Sequence, residues 1–146
     1  MTVYNKVLVV NRPGNDELTQ DIKRKIMEFC VDCGLSCTSD AAKVKWSENV
    51  LIVAVGGDGT MLGAMRESLN YTNPIVWGIN TGTLGFLSEE VNDNIFETMK
   101  NIGRNFGQVD ERMALCGHVY VDGELLLTNV VAMNEFVLAP ANVQFP

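Results

Sequence analysis

Apolar residues recur along this chain with two different periods, and the changes of period mark its elements. Lys6-Val7-Leu8-Val9-Val10-Asn11 is a short apolar run ended by Arg12-Pro13-Gly14-Asn15, which predicts a buried strand leaving into a turn. Leu18, Ile22, Ile26, Phe29 and Cys33 then recur every three or four positions, with Asp21, Lys23, Arg24, Lys25 and Glu28 between them. This is the pattern of an amphipathic helix. Asn15 or Asp16 is placed to cap its start, and Gly34 to stop it in a left-handed conformation. Ser39 to Asn49 is polar and carries no clear period. Val50-Leu51-Ile52-Val53-Ala54-Val55 is apolar throughout and rich in β-branched side chains, as expected of a strand buried on both faces. Met61, Leu62, Met65 and Leu69 restore the helical period, and Pro74 precedes a further strand, Ile75-Val76-Trp77-Gly78-Ile79. A loop from Asn80 to Glu90 leads to a last helix, with Ile95, Phe96, Met99 and Ile102 on its inner face.

Alternation of strand and helix predicts an α/β fold: an open, Rossmann-like parallel sheet with helices on both faces. From about Gln108 the pattern changes. Met113 to Val121 reads as a strand, Asp122-Gly123 as a two-residue hairpin turn, and Glu124 to Thr128 as the returning strand. A third run, Asn129 to Leu138, follows closely, so the expectation is a three-stranded antiparallel meander. The chain is therefore divided into an α/β domain over residues 1–106 and the beginning of an antiparallel β-rich unit over 107–146.

Composition narrows the function. Eleven basic against eighteen acidic residues give a net charge of −7 over 146 residues, which argues against a basic surface gripping nucleic acid or anionic membrane. Hydrophobic residues at 47% and charged ones at 20% are ordinary globular usage. The longest apolar run is far shorter than a membrane span, and the start lacks the form of a signal peptide, so a cytoplasmic protein is expected. Four cysteines in a chain of this size do not make a disulfide scaffold. Cys30 and Cys33, with Cys37 nearby, read as reduced core hydrophobes rather than metal ligands. His118, the single histidine, has no evident partner. Glu89, Glu90 and Asp93 suit the start of a helix better than a metal ion.

The chemistry concentrates in Gly56-Gly57-Asp58-Gly59-Thr60, between a buried strand and a helix. Glycines let a phosphate approach the backbone, successive N–H groups form an anion-binding nest, and the helix start adds partial positive charge. An acidic protein can hold polyphosphate this way without a basic cluster, with Mg²⁺ sharing the charge. Asp58 would repel a phosphate it touched, so its place is facing a hydroxyl, as base or orienter, or a metal ion. The plainer alternative is a tight turn with Asp58 or Thr60 as an N-cap, but three glycines exceed what a cap needs. Asn80-Thr81-Gly82-Thr83-Leu84-Gly85-Phe86-Leu87 follows the next strand and belongs on the same sheet edge, where ligands of open α/β sheets bind. Phe86 offers apolar surface to a flat ring, while Leu84 and Leu87 read as packing.

These residues resemble a known family. The glycine loop alone is shared in similar form by diacylglycerol, sphingosine and 6-phosphofructokinase types. The second loop discriminates, being similar to the Asn-x-Gly-x-Leu-Gly-Phe-Leu signature of NAD kinases, and Glu111-Arg112 and Met133-Asn134-Glu135 follow in the family's order. The resemblance implies transfer of the γ-phosphoryl group of ATP, with Mg²⁺, to the 2′-hydroxyl of the adenosine ribose of NAD. It implies Asp58 as the catalytic aspartate and Gly56, Gly57, Gly59 and Thr60 as the phosphate loop. Asp58, Gly59, Phe86, Asn134 and Glu135 are then the contacts to NAD. No resident metal site is implied. Family members are longer and end in a β-rich domain with a Thr-Pro-Thr-Gly-Ser-Thr-Ala-Tyr-type segment that these residues do not contain, so the likeness is to the N-terminal portion. The expected partners are NAD and ATP, with a homo-oligomer or pairing with the missing C-terminal domain. The competing reading is a catalytically incomplete nucleotide-binding or regulatory module that associates with other subunits.

Overall fold

In the computed structural model, residues 3–11, 16–82, 85–87, 89–90 and 94–140 are described. They divide into two compact units, 1–109 and 110–146. In the first unit β1 (Lys6–Asn11), β2 (Ser36–Thr38), β3 (Val50–Gly56), β4 (Ile75–Asn80) and β5 (Glu89–Glu90) form one sheet in the order β2-β1-β3-β4-β5. Every pairing is parallel. The strand order reverses between β1 and β3, which makes the carboxyl ends of those two strands the topological switch point.

Side chains of β3 alternate between two cores. Leu51, Val53 and Val55 face a cluster with Ile22, Ile26 and Phe29 of α1 (Glu17–Asp32) and Ile95 and Met99 of α3 (Ile95–Gly103). Val50, Ile52 and Ala54 face Met61 and Ala64 of α2 (Asp58–Ser68), with Val44 beside the short 3-10 turn Ala41–Lys43. Helices thus cover both faces, and all seven residues of β3 are buried. That double burial is why its sequence shows no polar alternation.

Asp16 is the residue that caps α1, its Oδ1 accepting from Thr19 N–H at 2.8 Å. Gly34 takes φ +66 just past Cys33, and Leu35 N–H donates to the Cys30 carbonyl at 2.8 Å. Arg12 to Asn15, Thr83, Leu84 and Asp93 lie outside the described residues.

Several expectations need correction. The buried stripe of α1 runs through Thr19, Ile22, Ile26, Phe29 and Cys30. Leu18 and Cys33, expected on it, are exposed, because the 3.6-residue period drifts away from a strict three-four count at both helix ends. Leu69 and Phe96 are likewise exposed, although the Phe96 ring stacks on Phe29 at 5.9 Å. Ser36–Thr38 and Glu89–Glu90 are short edge strands, so Glu89 and Glu90 lie on the sheet and not at a helix start.

The second unit is a hairpin, β6 (Leu115–Val121) and β7 (Glu124–Ala132), with Asp122 and Gly123 at φ 52 and 83, the signs a type I′ turn requires. The expected third strand does not form among the described residues. Asn129 instead takes φ 55 within β7, opposite a register shift between Gly117 and Val119, so the chain absorbs a bulge there and continues where a turn was expected.

Candidate functional site

The glycine loop lies at the carboxyl end of β3, on the switch-point edge. Gly56 ends the strand and Gly57 is the N-cap of α2, without a side-chain capping bond. A Cβ on Gly56 would overlap Thr60 Oγ1 and lie 2.9 Å from Thr60 Cβ, so the strand-to-helix passage closes only because that side chain is missing. The first turn of α2 is tight: the N–H groups of Thr60 and Met61 both donate to the Gly57 carbonyl, at 3.0 and 3.1 Å. Asp58 and Gly59 at the helix start have no intrahelical acceptors for their N–H groups, as at any helix start. The partial positive charge of the helix end adds to those donors.

The second loop is fastened to the first at two places, and to itself at a third. Thr81 N–H donates to the Gly56 carbonyl at 3.3 Å, at the level where β3 and β4 end. Buried Asn80 accepts from Gly82 N–H through Oδ1 at 3.0 Å. Asp58 Oδ2 accepts from Phe86 N–H at 3.0 Å, and its Oδ1 accepts from Leu87 N–H at 3.1 Å. Leu87 packs on the α2-side core, whereas the Phe86 side chain is 92% exposed.

Asp58 thus has a pair of partners that the residue pattern did not announce, because backbone N–H groups are carried by every residue type except proline. Each of its oxygens accepts one amide hydrogen and keeps a further lone pair, and the side chain is half-buried. Gly56, Gly57, Asp58, Gly59, Thr60 and Phe86 are brought together on one edge of one unit. Asn134 and Glu135 are exposed in the other unit, just past β7.

Residues set aside on sequence grounds have ordinary structural places. Cys30 is buried in the α1-side core, where a hydrogen bond to Cys37 and burial push its thiol up; the same bond pulls Cys37 down. His118 Nδ1 lies 3.0 Å from Thr128 Oγ1 across the hairpin, a partner that sequence alone did not show. Among the described residues no three His, Cys, Asp or Glu side chains converge as a metal-binding group. No helix among them is long and apolar enough to cross a membrane.

Comparison with known proteins bears on both loops. Residues 37–105 match the family model of the ATP-NAD kinase N-terminal domain, a span holding the glycine loop and the loop that follows β4. An NAD kinase of Ruminiclostridium cellulolyticum is 29% identical over 84% of this chain and 37% of its own length. The bifunctional NADP phosphatase/NAD kinase of Methanocaldococcus jannaschii is 32% identical over 86% of this chain and 22% of its own length. The crystal structure of yeast NADH kinase complexed with NADH shares the fold, with a TM-score of 0.65 at 17% identity, covering 88% of this chain and 46% of that one. The chain spans less than half the length of each of these proteins. Within that span the family model, the named relatives and the two joined loops agree: the chain is similar to the N-terminal portion of NAD kinases.

Proposed function

We propose that this chain supplies the phosphate loop and the reacting carboxylate of an enzyme that makes NADP from NAD and ATP. One observation carries the reading: the family's two signature loops meet on one sheet edge through Asp58, at the switch point where open α/β sheets bind ligands. In this reading Gly56, Gly57, Gly59 and Thr60 take the phosphates of ATP. Asp58 turns its remaining lone pairs to the 2′-hydroxyl of the adenosine ribose. The bond from that oxygen to the γ-phosphorus forms as the bond to the β-phosphate bridge breaks, ADP leaves, and the hydroxyl proton passes to Asp58 or to water. Phosphoryl transfer asks for position and charge stabilisation more than covalent work, which suits a site built from a backbone nest and one carboxylate. Mg²⁺ would enter with ATP and share the charge of its phosphates, and Asp58, the one carboxylate within the loop, would be the side chain placed to meet it. Phe86, Asn134 and Glu135 complete the contacts to NAD, Glu135 as an acceptor for ribose hydroxyls.

A cytoplasmic location and a homo-oligomer, or pairing with a C-terminal β-rich domain, belong to the same reading. Exposed Val119, Val121, Leu125, Leu126 and Leu127 on the hairpin favour such an association.

The test is NADP formation from NAD, ATP and Mg²⁺ by the purified protein, with Asp58→Asn beside it. The expected result is NADP that depends on all three reagents and falls by about 10²–10⁴ in the variant, the range of a lost acid–base group. Undiminished NADP formation by Asp58→Asn overturns the role of Asp58. NAD binding with no NADP formed supports the other reading, a catalytically incomplete nucleotide-binding module that works with other subunits.

A further inference from the structure

We infer that Asp58 is a positioning residue for the second loop as well as the reacting carboxylate, docking the Phe86–Leu87 turn on the start of α2 so that the exposed Phe86 ring is presented at the ligand edge of the sheet. The docking rests on geometry alone, and its bearing on NAD rests on the function proposed above.

Two consecutive backbone N–H groups, 28 and 29 residues further along the chain, donate to the two oxygens of one carboxylate. Only a carboxylate offers two acceptor atoms in that fork. An asparagine offers one acceptor and an NH₂ that would face one of the two amides, donor against donor. The location suits a negative group, since Asp58 is the first residue of α2 and lies where the helix dipole is positive. Among the described residues, further ties of this loop lie at its beginning, at Thr81 and Gly82. At its far end the Leu87 side chain packs on the α2-side core while Phe86 is left in solvent. An apolar ring held 92% exposed by an anchored backbone is prepared for a flat partner, with little ordering left to do on binding.

Activity lost on substituting Asp58 therefore combines two effects, a missing acceptor at the ribose hydroxyl and a displaced binding wall, and these separate by measurement. Backbone amide hydrogen exchange on the full chain reads the docking without any ligand. Wild-type protein should protect the Phe86 and Leu87 amides. Asp58→Asn should raise exchange at one of them, and Asp58→Ala at both, by at least about tenfold, since hydrogen bonds to a charged acceptor are stronger than those between neutral groups. Val53 and Leu8 amides should stay protected in every variant, which shows that the sheet has folded. Unprotected Phe86 and Leu87 amides in the wild type, or unchanged protection in Asp58→Ala, overturn the docking.

Titration with NAD then reads its purpose. If Asp58 acts through Phe86, the double variant binds NAD no more weakly than Asp58→Ala alone, while Asp58→Ala loses more than Phe86→Ala through its own contact to the ribose. A double-variant loss equal to the product of the two single losses overturns the link. No NAD binding by the wild type overturns the functional reading, while amide exchange still decides the docking.

Discussion

A single missing methyl group lets β3 turn into α2. At Gly56 a Cβ would overlap Thr60 Oγ1, and the opposing atoms belong to a short β-branched side chain on a helix, which cannot swing away. Gly56→Ala is expected to cost about 1–3 kcal/mol, the range for a side chain forced into filled space. Urea unfolding of the variant should show a lower midpoint with an unchanged slope. At Gly57 and Gly59 a Cβ would meet nothing within 4 Å, so the same change there should cost little stability. The loop's glycines therefore divide: one is needed for closure of the fold, and the other two leave the backbone uncovered.

At the scale of elements, α1 depends on a charged cap. The Thr19 N–H bond holds the Asp16 carboxyl below the usual carboxylate range. A depressed acid stabilises the fold in its ionised form, so the contribution is complete above the unfolded value near 3.8 and is lost as pH falls through the lower folded value. Asp16→Asn keeps a capping oxygen and removes the titration. The expected outcome is a difference in urea midpoint between wild type and variant that is constant from neutral pH to about 4 and shifts in favour of the variant below it. Strong periods made these elements legible: α1, β3, α2, β4 and α3 stand where apolar spacing predicts them, because each buries a face against a continuous core. Edge strands β2 and β5 were not legible, being three and two residues long and held by backbone pairing with a neighbour. The Asn129 bulge escaped for a related reason, since asparagine suits both a turn and a left-handed residue inside a strand. In the candidate site the glycine loop, Asp58 and the second loop were readable from residue types. What Asp58 binds was not, because its partners are amides of the main chain.

For the molecule as a whole, the division at Val109 separates two kinds of stability. Residues 1–109 hold both cores and all five parallel strands. A two-stranded hairpin with exposed leucines on it is marginal alone. A fragment ending at Val109 is therefore expected to unfold in one cooperative urea transition monitored by circular dichroism. In the intact chain, amides of β6 and β7 should exchange well before those of β3. A fragment without a cooperative transition would show that the first unit needs the second.

The strand order also sets a schedule for the growing chain. β1 can pair with β2 once Thr38 has left the ribosome, but its other edge waits for β3. At roughly 5–20 residues per second, the stretch from Thr38 to Gly56 takes about 1–4 s to synthesise. During that interval Val7, Leu8 and Val9 present an unpaired apolar edge to every other nascent chain nearby. Slow codons between Thr38 and Gly56 would lengthen that exposure, and the yield of soluble protein should fall with them.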